Sequence, residues 1–244
     1  MNLIIDIGNT RAKTAILEKG ITRDEKVFET LNVSLLEAYI KNFPGIRQAI
    51  LSSVAKRDKG IIDFLKQRFS RFIELNGNTP VPFVNKYRTK STLGSDRIAA
   101  VAGAIVLFPA SDILIVDAGT AITFDLINSA HEYLGGNISP GLSMRFQALN
   151  QFTGRLPLVH PNEQFAFLGN DTENAIVSGV QNGMIFEIQG YIDQLQKQYE
   201  SLKIILVGGD ASFFEKKLKN SIFVSSNLLL LGLNRILEYV FSEE

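Results

Sequence analysis

The chain has no cysteine, no tryptophan and only two histidines in its 244 residues. Without cysteine there is no disulfide, no thiolate nucleophile and no sulfur ligand for a metal. His131 and His160 lack a ligand-spaced partner, so neither a zinc centre nor a histidine-based catalytic site is expected. A charge excess of either sign is missing too, since Lys plus Arg and Asp plus Glu each number 25. No basic block tracks a phosphate backbone, which argues against nucleic acid as a partner. The apolar run around Leu228 to Leu231 falls far short of the roughly 20 residues that span a bilayer, so no membrane segment is expected. The N-terminus enters a strand directly, with no basic n-region and no cleavage site, so no secretory signal is expected. Together these absences predict a soluble cytoplasmic protein. A hydrophobic share of 45% supplies core for one large domain or two small ones.

What is present is a unit written twice. Leu3-Ile4-Ile5-Asp6-Ile7-Gly8-Asn9-Thr10 is echoed by Leu114-Ile115-Val116-Asp117-Ala118-Gly119-Thr120, about 110 residues later. Each is an apolar, β-branched run ending in Asp-x-Gly and a small polar residue. A second strand-like run follows, Lys13 to Leu17 in one copy and Ala121 to Ile127 in the other. That pattern reads as a hairpin with a tight turn. One copy could be an ordinary turn. Two copies suggest two halves of one architecture, with the turns facing each other across a cleft. Such turns gather backbone N–H groups and hydroxyls into a concavity that can hold a phosphate. Neither the Walker nor the Rossmann glycine pattern occurs.

Carboxylates beside phosphates require cations. Two like unit charges 4 Å apart repel by about 4 kcal/mol at an effective dielectric near 20. Oxygen ligands without a His or Cys cluster point to Mg²⁺, with room for an alkali-type ion.

Along the chain, Leu35 to Asn42 reads as a helix, Gln48 to Ser52 as a strand and Lys59 to Phe69 as a helix. Asn76 to Tyr87 reads as loop or extended chain, and Ser95 to Phe108 as a helix rich in small residues that lets another element come close. Pro109 to Asp112 makes a boundary. After the second hairpin come a Gly-rich turn from Gly135 to Gly141, a helix from about Glu173 to about Leu202, a strand from Ile204 to Val207, the turn Gly208-Gly209-Asp210 and a closing helix from about Asn227. The order is α/β or α+β with mixed sheets. With no low-complexity linker, an intimate interface between the halves is expected.

Gly94-Ser95-Asp96-Arg97 admits two readings. Ser95 is a good helix N-cap and Asp96 complements the helix dipole. Alternatively, the helix N-terminus meets an anionic or hydroxylated substrate, with Asp96 taking a proton and Arg97 binding a carboxylate or phosphate. Tyr87 could line that pocket or simply pack. The glycines of Gly135 to Gly141 suggest backbone close to a ligand or to another backbone. Thr172 could be a helix cap, and Gly208-Gly209 a nucleotide loop or a tight turn.

Asp6-x-Gly8-Asn9-Thr10-x-x-Lys13, Gly94-x-Asp96-Arg97, Asp117-x-Gly119-Thr120 and Gly135-Gly136-x-Ile138-x-Pro140-Gly141, in this order and at these separations, resemble the type III pantothenate kinases over nearly the whole chain. That family belongs to the acetate kinase, sugar kinase, heat-shock chaperone and actin superfamily. The resemblance implies an α/β fold of two ribonuclease-H-like (actin-like ATPase) domains, with mixed sheets flanked by helices, here spanning 1–110 and 111–244. It also implies ATP-dependent phosphorylation of pantothenate, the first step of coenzyme A biosynthesis.

By that resemblance, Asp6, Ile7, Gly8, Asn9, Thr10, Arg11, Ala12 and Lys13 form the first ATP phosphate segment, with Asp6 organising Mg²⁺. Thr120 contacts ATP, and Asp117 holds a monovalent cation, K⁺ or NH₄⁺. Asp96 is the general base, while Tyr87, Gly94, Ser95, Asp96 and Arg97 shape the pantothenate pocket. Thr172 completes it across a homodimer interface, and Gly208-Gly209 resembles the superfamily's adenosine turn. The alternative is a nucleotide-binding regulatory or accessory protein of the same fold, against which the intact Asp6, Asp96 and Asp117 argue.

Overall fold

A computed structural model describes residues 1–54 and 58–242. The expected domain ranges include residues 55–57, 243 and 244, which lie outside the described residues. Two compact units are formed. One comprises Met1–Pro109, His131–Tyr133 and Asn227–Glu244; the other comprises Ala110–Ala130 and Leu134–Ser226. The first segment of one unit ends at Pro109, and the other unit begins at Ala110. The closing helix, expected with the second half, groups instead with the first unit.

The first unit begins with β1 (Asn2–Ile7), β2 (Ala12–Glu18) and β3 (Ile21–Phe28), followed by α1 (Val33–Ile40), β4 (Gln48–Ser53), α2 (Lys59–Arg68) and β5 (Arg71–Glu74). The strand order is β3-β2-β1-β4-β5. β1 pairs antiparallel with β2 and parallel with β4. An apolar run such as Leu3-Ile4-Ile5 suits a central strand covered on both faces, and all three residues are fully buried. Leu3 and Ile5 join Leu36, Tyr39, Ile40, Ile61 and Leu65 of α1 and α2 in one core. Side chains alternate along a strand, so Asn2, Ile4 and Asp6 share the opposite face.

β6 (Val84–Asn85) and α3 (Ser95–Leu107) complete this part of the chain. α3 packs against α7 (Leu228–Ser242), which also lies on β1 and β4. Asn2 Nδ2 donates to Asn234 Oδ1 at 2.7 Å, tying β1 to α7 in the interior. The small residues of α3 do what was expected of them. A Cβ on Gly232 would collide with the Ala99 carbonyl oxygen, and one on Gly103 with that of Leu228. The two helices therefore meet backbone to backbone.

The second unit repeats the pattern with β7 (Ile113–Ala118), β8 (Ala121–Ile127), β9 (Glu132–Pro140), α4 (Leu142–Phe152), α5 (Thr172–Gln196), β10 (Lys203–Val207), α6 (Ala211–Glu215) and β11 (Phe223–Val224). Its strands run β11-β10-β7-β8-β9, with β6 beside the Glu132–Tyr133 end of β9. β7 pairs antiparallel with β8 and parallel with β10, as β1 does with β2 and β4. Leu114 and Val116 pack with Phe146, Met184, Ile188, Ile192 and Phe214. Asp117 therefore lies on the opposite face of its strand, as Asp6 does on β1.

Several element expectations change. Gly135 to Pro140 runs within β9 rather than forming a turn; only Gly135 has a positive φ, at 115°, and only Gly141 lies beyond the strand end. α5 stops at Gln196, short of Leu202. Asn76 to Tyr87 is loop and extended chain as expected, with the two-residue strand β6 inside it.

Candidate active site

In the first unit the chain turns between β1 and β2 with the Gly8 N–H donating to the Arg11 carbonyl at 3.1 Å. Asp6 and Ile7 end β1, and Ala12 and Lys13 begin β2 in register with them, Asp6 opposite Lys13. Asn9, Thr10 and Arg11 form the exposed tip. The tip offers backbone and hydroxyl groups to solvent, while Asp6 stays at its base.

Asp6 is held from a direction the hairpin does not supply. Its partner in the parallel register is Ser52 on β4, so both side chains stand on the same sheet face. The Ser52 hydroxyl is the hydrogen-bonding neighbour that holds the Asp6 carboxyl down against its burial. Ser52 is fully buried, and its hydroxyl also shares a hydrogen bond of 3.1 Å with that of Ser95, the first residue of α3. Ser95 was a candidate N-cap. The structure instead places Gly94 at the cap, without a side-chain cap bond, and turns the Ser95 hydroxyl onto Ser52.

Asp96 follows in the first helical turn, where its Oδ1 accepts from the Arg97 N–H at 2.8 Å. A Cβ on Gly94 would collide with that same oxygen, so glycine is what allows the carboxylate to fold back over the helix start. Burial raises the Asp6 carboxyl from 3.8 to about 6. The neighbouring Asp96 carboxylate acts in the same direction, while the Ser52 hydroxyl and the Lys13 ammonium oppose it. Two carboxylates that feel each other at the end of a sheet invite a cation.

Arg97 is 5% exposed, and its guanidinium carbon lies 5.6 Å from the Tyr87 ring centre. Tyr87 stacks in turn on Tyr133, with ring centres 6.1 Å apart and an interplanar angle of 23°. Tyr133 is wholly buried and meets Phe83 edge-on. The Tyr87 backbone N–H donates to Asn85 Oδ1 at 2.9 Å. Tyr87 and Arg97 are thus joined as a wall beside Asp96, with aromatic stacking and a cation–π contact fixing their orientation.

In the second unit the Asp117-to-Thr120 turn closes with the Gly119 N–H donating to the Ala121 carbonyl at 3.2 Å. Two glycine segments press on its backbone. A Cβ on Gly141 would collide with the Gly119 and Thr120 carbonyl oxygens, and the Gly141 N–H donates to Thr120 O at 3.2 Å. Gly208 has φ +98°, a region that favours glycine, and a Cβ there would lie 2.6 Å from Asp117 Oδ1. The Asp210 N–H donates to Ala118 O at 3.0 Å, and partial burial pushes the Asp210 carboxyl up. The close backbone approach expected of the Gly135-to-Gly141 segment occurs at Gly141, with the turn as its target, and Gly208 presses on the same turn. Arg145 of α4 donates to Pro140 O at 2.8 Å, to Ser139 Oγ at 3.0 Å and to the Glu187 carboxylate of α5, which holds the end of β9 against these helices.

Thr172 is the exposed first residue of α5. The cap is Asp171, whose carboxylate accepts from the Asn174 N–H at 2.8 Å and is held below the usual carboxylate range by that bond. Among the described residues no group of three or more His, Cys, Asp or Glu could hold a metal alone. A cation here would draw much of its shell from phosphate oxygens and water, which fits Mg²⁺ carried on a nucleotide. Among the described residues no helix is long and apolar enough to cross a membrane. Ser52 and Tyr133 are the members of the site that sequence reasoning missed.

The type III pantothenate kinase family model matches residues 2–194. A protein of Christiangramia forsetii named type III pantothenate kinase is 46% identical over 242 residues, covering 98% of both chains. A solved Campylobacter jejuni structure, described as a candidate Baf family transcriptional activator, aligns with TM-score 0.62 at 25% identity, covering 98% of this chain and 99% of that one. A Sinorhizobium meliloti structure described as a candidate 2-dehydro-3-deoxygalactonokinase aligns with TM-score 0.60 at 12% identity over 99% of both chains, a likeness of fold alone.

Proposed function

The chain belongs to the type III pantothenate kinase family, and from that premise we propose how its residues carry the reaction. The enzyme transfers a phosphoryl group from ATP to pantothenate, in coenzyme A biosynthesis. Asp96 is the general base that takes the proton of the pantothenate hydroxyl as its oxygen bonds the γ-phosphorus. The bond to the β-phosphate oxygen breaks, and ADP leaves. The observation that carries this reading is the Asp6–Ser52–Ser95 arrangement, which sets the Asp96 helix start beside the first phosphate turn of its own unit.

Phosphoryl transfer asks the protein mainly for positioning and for neutralisation of phosphate charge. Asp6 and the waters around it would hold Mg²⁺, which when bound offsets the charge on the transferring phosphoryl group. The backbone from Ile7 to Ala12 and the Lys13 ammonium bind phosphate. Arg97 and Tyr87, with Gly94 and Ser95, shape the end of the pocket that receives pantothenate. Thr120 contacts ATP, and Asp117 holds potassium or ammonium. The family resemblance also assigns Thr172 to pantothenate across a homodimer. The small residues of α3 are occupied by α7, so the dimer rests on family membership alone. A cytoplasmic location is proposed on the same footing.

Asp96→Asn keeps the shape and removes the base. Turnover should fall by about 10²- to 10⁴-fold, with the KM for ATP changed by less than about threefold. Comparable losses in both would remove Asp96 from that role. Replacing potassium by sodium should lower turnover in the same steady-state assay. Equal rates would remove the monovalent cation from Asp117.

A further inference from the structure

We propose that Ser52 is a positioning residue for phosphoryl transfer, its hydroxyl locking Asp6 of the first phosphate turn to the helix start that carries Asp96. The inference rests on the reading of Asp6 and Asp96 above and goes beyond it, because Ser52 touches neither substrate nor nucleotide in that reading. Three observations converge on it. The parallel register of β1 and β4 puts Ser52 beside Asp6. The Ser52 hydroxyl donates to that of Ser95 at 3.1 Å, with both serines buried, and stands beside the Asp6 carboxyl, which it holds down against burial. Gly94 rather than Ser95 stands at the cap of α3, and the Ser95 hydroxyl accepts from Ser52 of the sheet.

A hydroxyl has one proton and two lone pairs, so Ser52 can donate to the Ser95 hydroxyl while its oxygen keeps acceptor capacity on the face it shares with Asp6. The bridge joins strand to strand on one side and strand to helix on the other. It turns the distance between two strands and a helix into a fixed offset between two carboxylates. A misplacement of about 1 Å at a reacting centre can cost roughly 10²-fold in rate. Alanine at position 52 would leave the strand intact and free the offset.

The test is steady-state kinetics on Ser52→Ala, Ser95→Ala, the double variant and Ser52→Thr. Each is accompanied by a melting curve and a thermal shift with Mg²⁺ and ATP. Ser52→Ala should lower kcat by about 10- to 100-fold, with the KM for pantothenate within about threefold and a smaller thermal shift by Mg²⁺ with ATP. The double variant should be no slower than Ser52→Ala alone, because both changes open one bridge. Ser52→Thr, which keeps the hydroxyl, should recover most of the rate. Full kcat in Ser52→Ala, or losses that multiply in the double variant, would overturn the proposal. If Ser52→Ala does not fold, Ser95→Ala opens the same bridge from the helix side, and unchanged kcat there overturns it equally. A wild-type enzyme that does not phosphorylate pantothenate would instead bring down the reading beneath it.

Discussion

At the scale of single residues the site is governed by where carboxylates are allowed to keep their charge. Asp6 sits where burial and Asp96 both favour its protonated form, and only Ser52 and Lys13 resist. A folded-state value of about 6 against 3.8 means that the folded protein binds this proton more tightly than the unfolded chain. The resulting stabilisation is complete below about 3.8 and is lost as pH rises through about 6. In metal-free enzyme at pH near 8, Asp6→Asn should therefore be more stable than wild type, by at most roughly 3 kcal/mol. The gap should close towards pH 4. Urea unfolding in the presence of a chelator at several pH values reads this directly, and parallel pH profiles would contradict it. Asp6 and Asp96 were legible in the sequence because each sits in a short motif with its own turn or helix start. Ser52 was not, since a serine at the end of an apolar strand carries no signal until the parallel register sets it beside Asp6. Tyr133 was hidden for the same reason, as its stacking partner Tyr87 lies 46 positions away.

Among elements, the hairpins were the easiest to read and the glycine-rich strand the hardest. Both hairpins depend on local turn chemistry and on short apolar runs that end at Asp-x-Gly, which a sequence displays within about ten residues. The Gly135-to-Gly141 segment reads as a turn in sequence because glycine is common in turns, yet most of it is strand. Its glycine at 141 serves a contact with the Thr120 backbone that no local pattern announces. β3 was missed because Thr22, Arg23, Asp24, Glu25 and Lys26 give little apolar alternation, as suits an edge strand that resists pairing with a second molecule. The α3–α7 contact yields a prediction with its own control. Gly232→Ala forces a methyl into the Ala99 carbonyl and should destabilise the fold by roughly 1–3 kcal/mol. Gly190→Ala, on α5 where a Cβ meets nothing within 4 Å, should stabilise by about 0.5–1 kcal/mol. Thermal melts that moved both variants in the same direction would contradict the backbone-to-backbone packing.

For the whole molecule, the repeated Asp-x-Gly unit foretold repeated topology. β3-β2-β1-β4-β5 in one unit and β9-β8-β7-β10-β11 in the other are the same order, and each central strand has one antiparallel and one parallel neighbour in the corresponding places. The assignment of the closing helix to the first unit was beyond sequence reading, because it depends on contacts such as that of Asn2 with Asn234 across nearly the full chain. This chain phosphorylates pantothenate with ATP, as its family does. The most direct test of that claim is incubation of purified wild-type protein with millimolar ATP, Mg²⁺, potassium and pantothenate, following ADP release and product phosphorus by ³¹P NMR. The account predicts pantothenate-dependent ADP release with one phosphomonoester formed per ADP. ADP release that ignores pantothenate, or none at all from folded protein, would contradict it.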